Sequence, residues 1–226
     1  MARKLTRLMQ KFYKNILSNK TANIIYDEFI NLILANKNNT NNYVTLNNDY
    51  LEKTCLATFD FLNNPEHNGE KSKTFAIYDL PVTKLEINSI DEMIRKDFGN
   101  SYRFTHSYIR CYTNGSILNP HIDSPGLDLT LTVNIHSNDT DNWPICFSKK
   151  ELIGEDYENY VSLVTSQREI ESYSFLRDYM NDYSEYVTKK GDGICSTRNF
   201  PHWRMPYEIK NPGQHFVQVF YHWIKE

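Results

Sequence analysis

The segment Asn119-Pro120-His121-Ile122-Asp123 decides how this chain is read. It follows a strand-like run at 108–112 and a glycine turn at Asn114-Gly115. Residues two apart in extended backbone project to the same side. His121 and Asp123 therefore aim an imidazole and a carboxylate at a single point, a pairing that suits a divalent metal. Outward from it the texture is that of strands, at 108–112, 127–136, 144–147, 193–196 and 215–223. Short apolar runs bounded by turn residues, preceded by helical periodicity, predict a sandwich or barrel with α decoration.

The first hundred residues read differently. Leu5, Leu8, Met9, Phe12 and Ile16 recur at helical spacing, as do Ile25, Phe29, Leu32 and Ile33, which predicts two amphipathic helices. The Asn-rich tract 36–48 reads as a polar loop. Residues 49–63 read as helical until Asn63-Asn64-Pro65 stops them. Phe75 to Tyr78 suggests a strand. Ser89 and Glu92 have capping-box spacing, and Gly99 is placed to end the helix that follows. The stretch 155–188 reads as an insertion with one helix around 173–183. The expected organisation is an N-terminal helical extension over 1–100, packed on a β core over 101–226.

Composition narrows the classes. Forty percent hydrophobic and 14% aromatic residues in 226 supply a core. No apolar run approaches the roughly 20 residues a membrane span needs. The net charge of -3 gives nucleic acid little support as a partner. Four scattered cysteines, Cys55, Cys111, Cys146 and Cys195, with no CxxC pair, suggest buried thiols in a reducing, cytoplasmic setting.

An isolated HxD is a weak signal, because a satisfied core or surface histidine is the commoner case. His202, in Phe200-Pro201-His202-Trp203-Arg204, is the best candidate for a third ligand. Two histidines and a carboxylate on one face of a metal leave positions open, as in non-haem iron sites. Closed structural zinc sites fill four positions with protein ligands.

Residues 102–223 resemble the Fe(II)- and 2-oxoglutarate-dependent dioxygenase superfamily, in the style of its prolyl-hydroxylase-like members. The run Ile109-Arg110-Cys111-Tyr112-Thr113-Asn114-Gly115, followed by His121-Ile122-Asp123, is similar to that family's strand-turn-strand. Thr130 to Ile135 resembles its next strand, and Trp143-Pro144 the one after. Lys190-Gly191-Asp192 resembles the turn toward the distal histidine. Pro201-His202-Trp203-Arg204-Met205-Pro206-Tyr207, then Val217-Gln218-Val219-Phe220-Tyr221-His222, resembles an HWREPF-type distal motif. The resemblance implies a double-stranded β-helix, a cupin-like jelly roll. It also implies iron held by His121, Asp123 and His202, with 2-oxoglutarate and O2 as co-substrates and ascorbate as an optional reductant. The implied reaction hydroxylates a small-molecule or peptide substrate and releases succinate and CO2.

The far carboxylate of 2-oxoglutarate needs a cation, and arginine matches it bidentately. The family's usual basic residue on the last core strand is absent: Gln214, His215 and Gln218 occupy that region, and Lys210 lies nearby. Arg204 is the favoured anchor, Arg110 the reserve and Tyr112 the hydroxyl partner. Trp143 and Trp203 either wall the pocket or pack the barrel, and His106, His136, His215 and His222 are candidates for supporting roles. A cupin-like metalloenzyme that does not use 2-oxoglutarate and a non-catalytic binding domain are the competing readings. The intact triad argues against the second.

Overall fold

The computed structural model describes residues 10–35, 43–46, 55–58, 74–112, 116–137, 143–207 and 215–226. Among the described residues, twelve strands form two antiparallel sheets. The strands are β1 Gln10–Tyr13, β2 Tyr43–Leu46, β3 Cys55–Thr58, β4 Thr74–Tyr78, β5 Tyr102–Tyr112, β6 Leu118–His121, β7 Leu129–His136, β8 Ile145–Ser148, β9 Tyr183–Tyr186, β10 Gly193–Thr197, β11 His202–Arg204 and β12 Phe216–Lys225. Eight lie in the order β1-β10-β7-β12-β5-β4-β3-β2 and four in the order β6-β11-β8-β9.

Period-two alternation gives the large sheet two different faces. Ile109, Cys111, Leu131, Val133, Val217 and Val219 point outward into the main core. Helix α1 (Asn19–Ala35) covers them with Ala22, Ile25 and Phe29, and α2 (Ile87–Phe98) with Ile90 and Ile94. Arg110, Tyr112, Gln218 and Phe220 point the other way, toward the small sheet. Contacts of Arg204 with Gln218, and of Ile194 with Ile145 and Phe147, close the space between the sheets. The architecture is a mainly β double-stranded β-helix with helices on its outer face.

The second N-terminal helix, the strand at Phe75 to Tyr78 and the five later strands stand where the sequence places them, with ends shifted by a few residues. The first predicted helix does not. Residues 10–13 form an edge strand on β10, with Gln10 opposite Ser196 and Tyr13 opposite Gly193. Four residues hold too little periodicity to outweigh an open sheet edge. The rest of that predicted helix, at 1–9, lies outside the described residues. Strands also replace part of the predicted loop, at Tyr43–Leu46, and part of the predicted third helix, at Cys55–Thr58. Both extend the large sheet past β4. The remainder of those two segments, the Asn63-Asn64-Pro65 stop and the Asn114-Gly115 turn lie outside the described residues. The first hundred residues are thus not a helical extension alone, since strands of one sheet lie on both sides of residue 100.

The capping box expected at Ser89 is not formed. Glu86 sits at the N-cap position of α2, and Ser89 Oγ donates to its carbonyl at 2.9 Å. Glu86 caps a different helix. Ser18 Oγ accepts from the Thr21 amide at the start of α1, while the Glu86 carboxylate accepts from Ser18 N, Ser18 Oγ and Thr21 Oγ1. A residue from another element thereby supplies the acidic half of a capping box. Burial opposes ionisation of Glu86, but the hydrogen bonds from Thr21 and Ser18 outweigh it and hold the carboxyl below its ordinary range. A lowered folded-state value contributes stability above the unfolded value, and that contribution is lost as pH falls through the folded one. Glu86→Ala should destabilise the fold by about 1–2 kcal/mol at neutral pH. In acid denaturation monitored by circular dichroism, the gap from wild type should close as pH falls through the carboxylate range.

The turn before β10 is clasped to the N-terminal segment. Gly191 has φ +83°, and a Cβ there would stand 2.5 Å from the Leu17 carbonyl oxygen. Asp192 accepts from the amides of Asn15 (2.9 Å) and Lys189 (3.1 Å). The insertion holds more than the one expected helix: α3 Glu155–Thr165, α4 Glu169–Leu176, a 3-10 turn and β9. Leu152, Tyr160, Leu176 and Tyr179 form a core of their own, and Ile122 completes it.

Candidate metal centre

Ile122 fixes which way the His121–Asp123 segment faces. Its side chain is buried in the insertion core, so its neighbours His121 and Asp123 turn to the opposite side, into the space between the sheets. Across the small sheet, His202 on β11 is the register partner of His121 on β6. Their ring centroids are 4.2 Å apart, and Phe147 of β8 stacks on His202 at 5.1 Å.

Each of the three side chains is oriented through its far atom. His121 Nδ1 meets the Asn119 carbonyl at 2.8 Å, and His202 Nδ1 meets the Phe200 carbonyl at 3.1 Å. A carbonyl only accepts, so both Nδ1 atoms carry the proton and both Nε2 lone pairs stay available. Thr130 Oγ1 donates to Asp123 Oδ2 at 2.6 Å, which leaves Oδ1 facing His202 Nε2 at 3.7 Å. One ligand atom from each residue lies within 4.8 Å of the others, the only such group of His, Cys, Asp and Glu among the described residues.

Electrostatics favour the protonation states that a metal requires. Burial, then His202, pushes the His121 imidazole down, so it is neutral near pH 7. Burial opposes the charge on Asp123, but His202, His121 and the Thr130 hydrogen bond outweigh it and hold the carboxyl below its usual range. Two imidazoles and one carboxylate with converging free lone pairs fit a divalent ion that keeps open positions.

Behind Asp123 stands a chain of supports that sequence reading missed in part. Thr130 Oγ1, having donated to Asp123, accepts from His222 Nδ1 at 3.1 Å. His222 is buried, and that burial pushes its imidazole down to about 4. His222 was among the candidates for a supporting role. Thr130 was not, because it sits in an apolar strand and the link spans distant residues. Thr130→Val should weaken Fe(II) or Co(II) affinity by about 10–100-fold in a direct titration, with Thr130→Ser restoring most of it.

The four residues expected around a co-substrate fall into two groups. Arg204, two residues past His202, is 1% exposed. Its guanidinium donates to the Trp143 carbonyl and, at 2.9 Å, to Gln218 Oε1. Gln218 Nε2 donates to the Tyr112 hydroxyl at 3.0 Å, leaving the Tyr112 proton free to donate. Trp143 and Phe216 flank the guanidinium at 4.7 and 4.9 Å. No carboxylate neutralises Arg204 among the described residues, its Nε has no partner, and burial lowers its value to about 10. A buried cation with an orphaned donor fits an anionic ligand. Arg110 donates to the Tyr108 hydroxyl through Nε at 3.0 Å and Nη2 at 2.6 Å, and its guanidinium lies 5.8 Å from the Tyr112 ring.

Of the other candidates, Trp143 belongs to the Arg204 group and the rest have packing partners of their own. Trp143 packs with Tyr112, Tyr207 and Phe216, while Trp203 packs edge-on against Tyr183. His136 and His215 stack with Tyr26 of α1. Cys111, Cys146 and Cys195 are buried free thiols. Lys210 and Gln214 lie outside the described residues. No described helix is long and apolar enough to cross a membrane.

No family model and no curated protein matches the chain. Solved structures do match. The carbocyclase SnoK, a non-heme alpha ketoglutarate dependent enzyme from nogalamycin biosynthesis, aligns over 97% of this chain and 80% of its own at TM-score 0.62 and 8% identity. HygX from Streptomyces hygroscopicus, solved with nickel, 2-oxoglutarate and hygromycin B, aligns over 100% and 88% at TM-score 0.57 and 10% identity. A Pseudomonas putida prolyl-4-hydroxylase aligns over 96% and 92% at TM-score 0.55 and 8% identity. The chain therefore has the double-stranded β-helix fold of 2-oxoglutarate-dependent oxygenases.

Proposed function

We propose that the protein is an Fe(II)- and 2-oxoglutarate-dependent oxygenase that hydroxylates a small-molecule or peptide substrate, with release of succinate and CO2. The observation that carries this reading is the convergence of His121 Nε2, His202 Nε2 and Asp123 Oδ1, each oriented by a hydrogen bond at its other end. Those three side chains would hold the metal. The iron supplies the activation of O2 that hydroxylation needs.

The chain's own contribution is placement and charge. Arg204 would receive the far carboxylate of 2-oxoglutarate, since its guanidinium lies buried beside the His202 strand and carries an unmatched donor. Tyr112 would give that carboxylate its hydroxyl proton, and Gln218 fixes the spacing between the two. Trp143, Tyr207 and Phe216 exclude water around the guanidinium, which strengthens its hold on an anion.

Anaerobic titration tests the reading. Iron(II) followed by 2-oxoglutarate should produce a weak visible charge-transfer band in wild type and none in His202→Ala. Metal binding without a band would bring forward a cupin-like enzyme that does not use 2-oxoglutarate.

A further inference from the structure

Three polar atoms on the inner face of the large sheet are left over once the hydrogen bonds around them are assigned. The first two belong to His106 of β5 and His222 of β12, which are register partners with ring centroids 4.8 Å apart. Thr130 Oγ1 spends its one proton on Asp123 Oδ2, so His222 Nδ1 must donate to it. Thr105 Oγ1 spends its proton on the His222 carbonyl, so His106 Nδ1 must donate to Thr105. Burial pushes both imidazoles down, which keeps them neutral near pH 7. Each ring therefore carries its proton on Nδ1 and presents Nε2, at its far end, as a bare acceptor with no partner among the described residues.

The third atom is a donor. The Tyr108 hydroxyl accepts from Arg110 Nε and Nη2, which fills its lone pairs and leaves its own proton to be given to an acceptor that the described residues do not supply. Tyr108, Tyr78 of β4 and Phe220 of β12 are register partners in the row beside the two histidines. The five rings form a circuit, His222 to His106 to Tyr78 to Tyr108 to Phe220, whose successive planes are tilted by 37°, 38°, 42° and 37°. No single plane lies flush on them. Exposure rises around the circuit from 7% at His222, tied through Thr130 to Asp123, to 45% at Tyr78, so the surface runs from beside a metal ligand out to solvent.

We propose that this surface is the substrate subsite and that it takes a saturated ring carrying several hydroxyl groups, a sugar or cyclic polyol, which gives protons to His106 Nε2 and His222 Nε2 and accepts one from the Tyr108 hydroxyl. The inference rests on the oxygenase reading only for the reaction that follows binding. Two acceptors and one donor set the class, because a hydroxyl both gives and takes a proton and a ring bearing several can meet all three atoms. The tilted rings set the skeleton. A flat aromatic ligand can stack on one of these planes at a time, whereas the C–H groups of a puckered ring point in several directions toward the electron-rich faces.

The test is ligand-observed NMR titration of the full chain, with and without anaerobic Fe(II) and 2-oxoglutarate. The probes are the methyl glycosides of glucose, galactose and mannose, and myo-inositol; cyclohexanol and phenol are the controls. At least one of the four polyols should bind about fivefold more tightly than either control, since each further hydrogen bond adds about 0.5–1.5 kcal/mol. Tyr108→Phe and His106→Leu should each weaken that polyol about fivefold and cyclohexanol, which can meet one of the three atoms, less than about twofold. Tyr78→Ala, at an exposed position that does not threaten folding, should weaken the polyol severalfold. Preference for a glycoside assigns a sugar, and preference for myo-inositol a cyclitol; both support the subsite. Binding of none of the four, a best polyol matched by cyclohexanol or phenol, or unchanged polyol affinity in Tyr78→Ala and Tyr108→Phe overturns it. The charge-transfer band, read in the same samples, keeps the two ideas separate: a band without polyol binding removes the subsite alone, and polyol binding without a band removes the oxygenase reading alone.

Discussion

Asp123→Ala is expected to abolish 2-oxoglutarate turnover and to weaken Fe(II) binding by more than about 100-fold. Asp123 is the only anionic donor of the three, so its loss removes the charge that offsets the metal's own. Changes in groups that merely orient a ligand cost about 10–100-fold, and deleting the ligand must cost more. The variant also strands the Thr130 hydroxyl, whose proton is directed at Asp123 Oδ2. Metal affinity by competition with a chromogenic chelator is the direct measurement, and succinate release the functional one. Retention of full iron-dependent turnover would sink the assignment of the centre.

Arg204→Met should separate function from stability in opposite directions. Met approximates the volume of the arginine stem and head and packs well among apolar rings. The wild-type guanidinium sits 1% exposed among Trp143, Phe216 and Tyr112, with no carboxylate beside it among the described residues. Replacing a buried charge that has no counter-ion removes its desolvation penalty, which offsets the loss of the donors to the Trp143 carbonyl and Gln218 Oε1. The thermal midpoint of the ligand-free variant should therefore hold steady or rise. The anion site disappears with the charge, so the KM for 2-oxoglutarate should rise about 100-fold, as expected for loss of a buried charged hydrogen-bond partner. A variant that melts earlier and keeps its KM would mean that Arg204 is a structural cation and that the co-substrate anchors elsewhere.

What the sequence discloses follows from the range of the forces involved. His121 and Asp123 were legible because two-residue spacing on extended backbone is a local property, and β7 and β12 because long apolar alternation is too. His202 and its register partner were reachable by pattern, although the pairing itself is a fact of the sheet. Thr130 was not legible. Its role depends on His222, which lies 92 residues away in sequence. β1 and β3 were misread because four residues on a sheet edge take their conformation from the neighbouring strand's unpaired amides and carbonyls. α3 went unseen because Tyr160 is its one buried residue, too little to show a stripe. The role of Ile122 as a peg in the insertion core shows why residues 155–188 matter to the metal centre as well as to its rim.

The strand order of the large sheet has a consequence for the chain's biogenesis. β12 comes latest in chain order among the described strands, yet it lies in the interior of the sheet, between β7 and β5. A nascent polypeptide emerging from the ribosome carries two half-sheets whose facing edges have no partner until residues 216–225 arrive. Neither half can be zipped to the other until β12 itself has emerged, so the facing edges stay open while everything before it is made. Premature termination upstream of β12 would release two sticky halves instead of a smaller version of the same barrel.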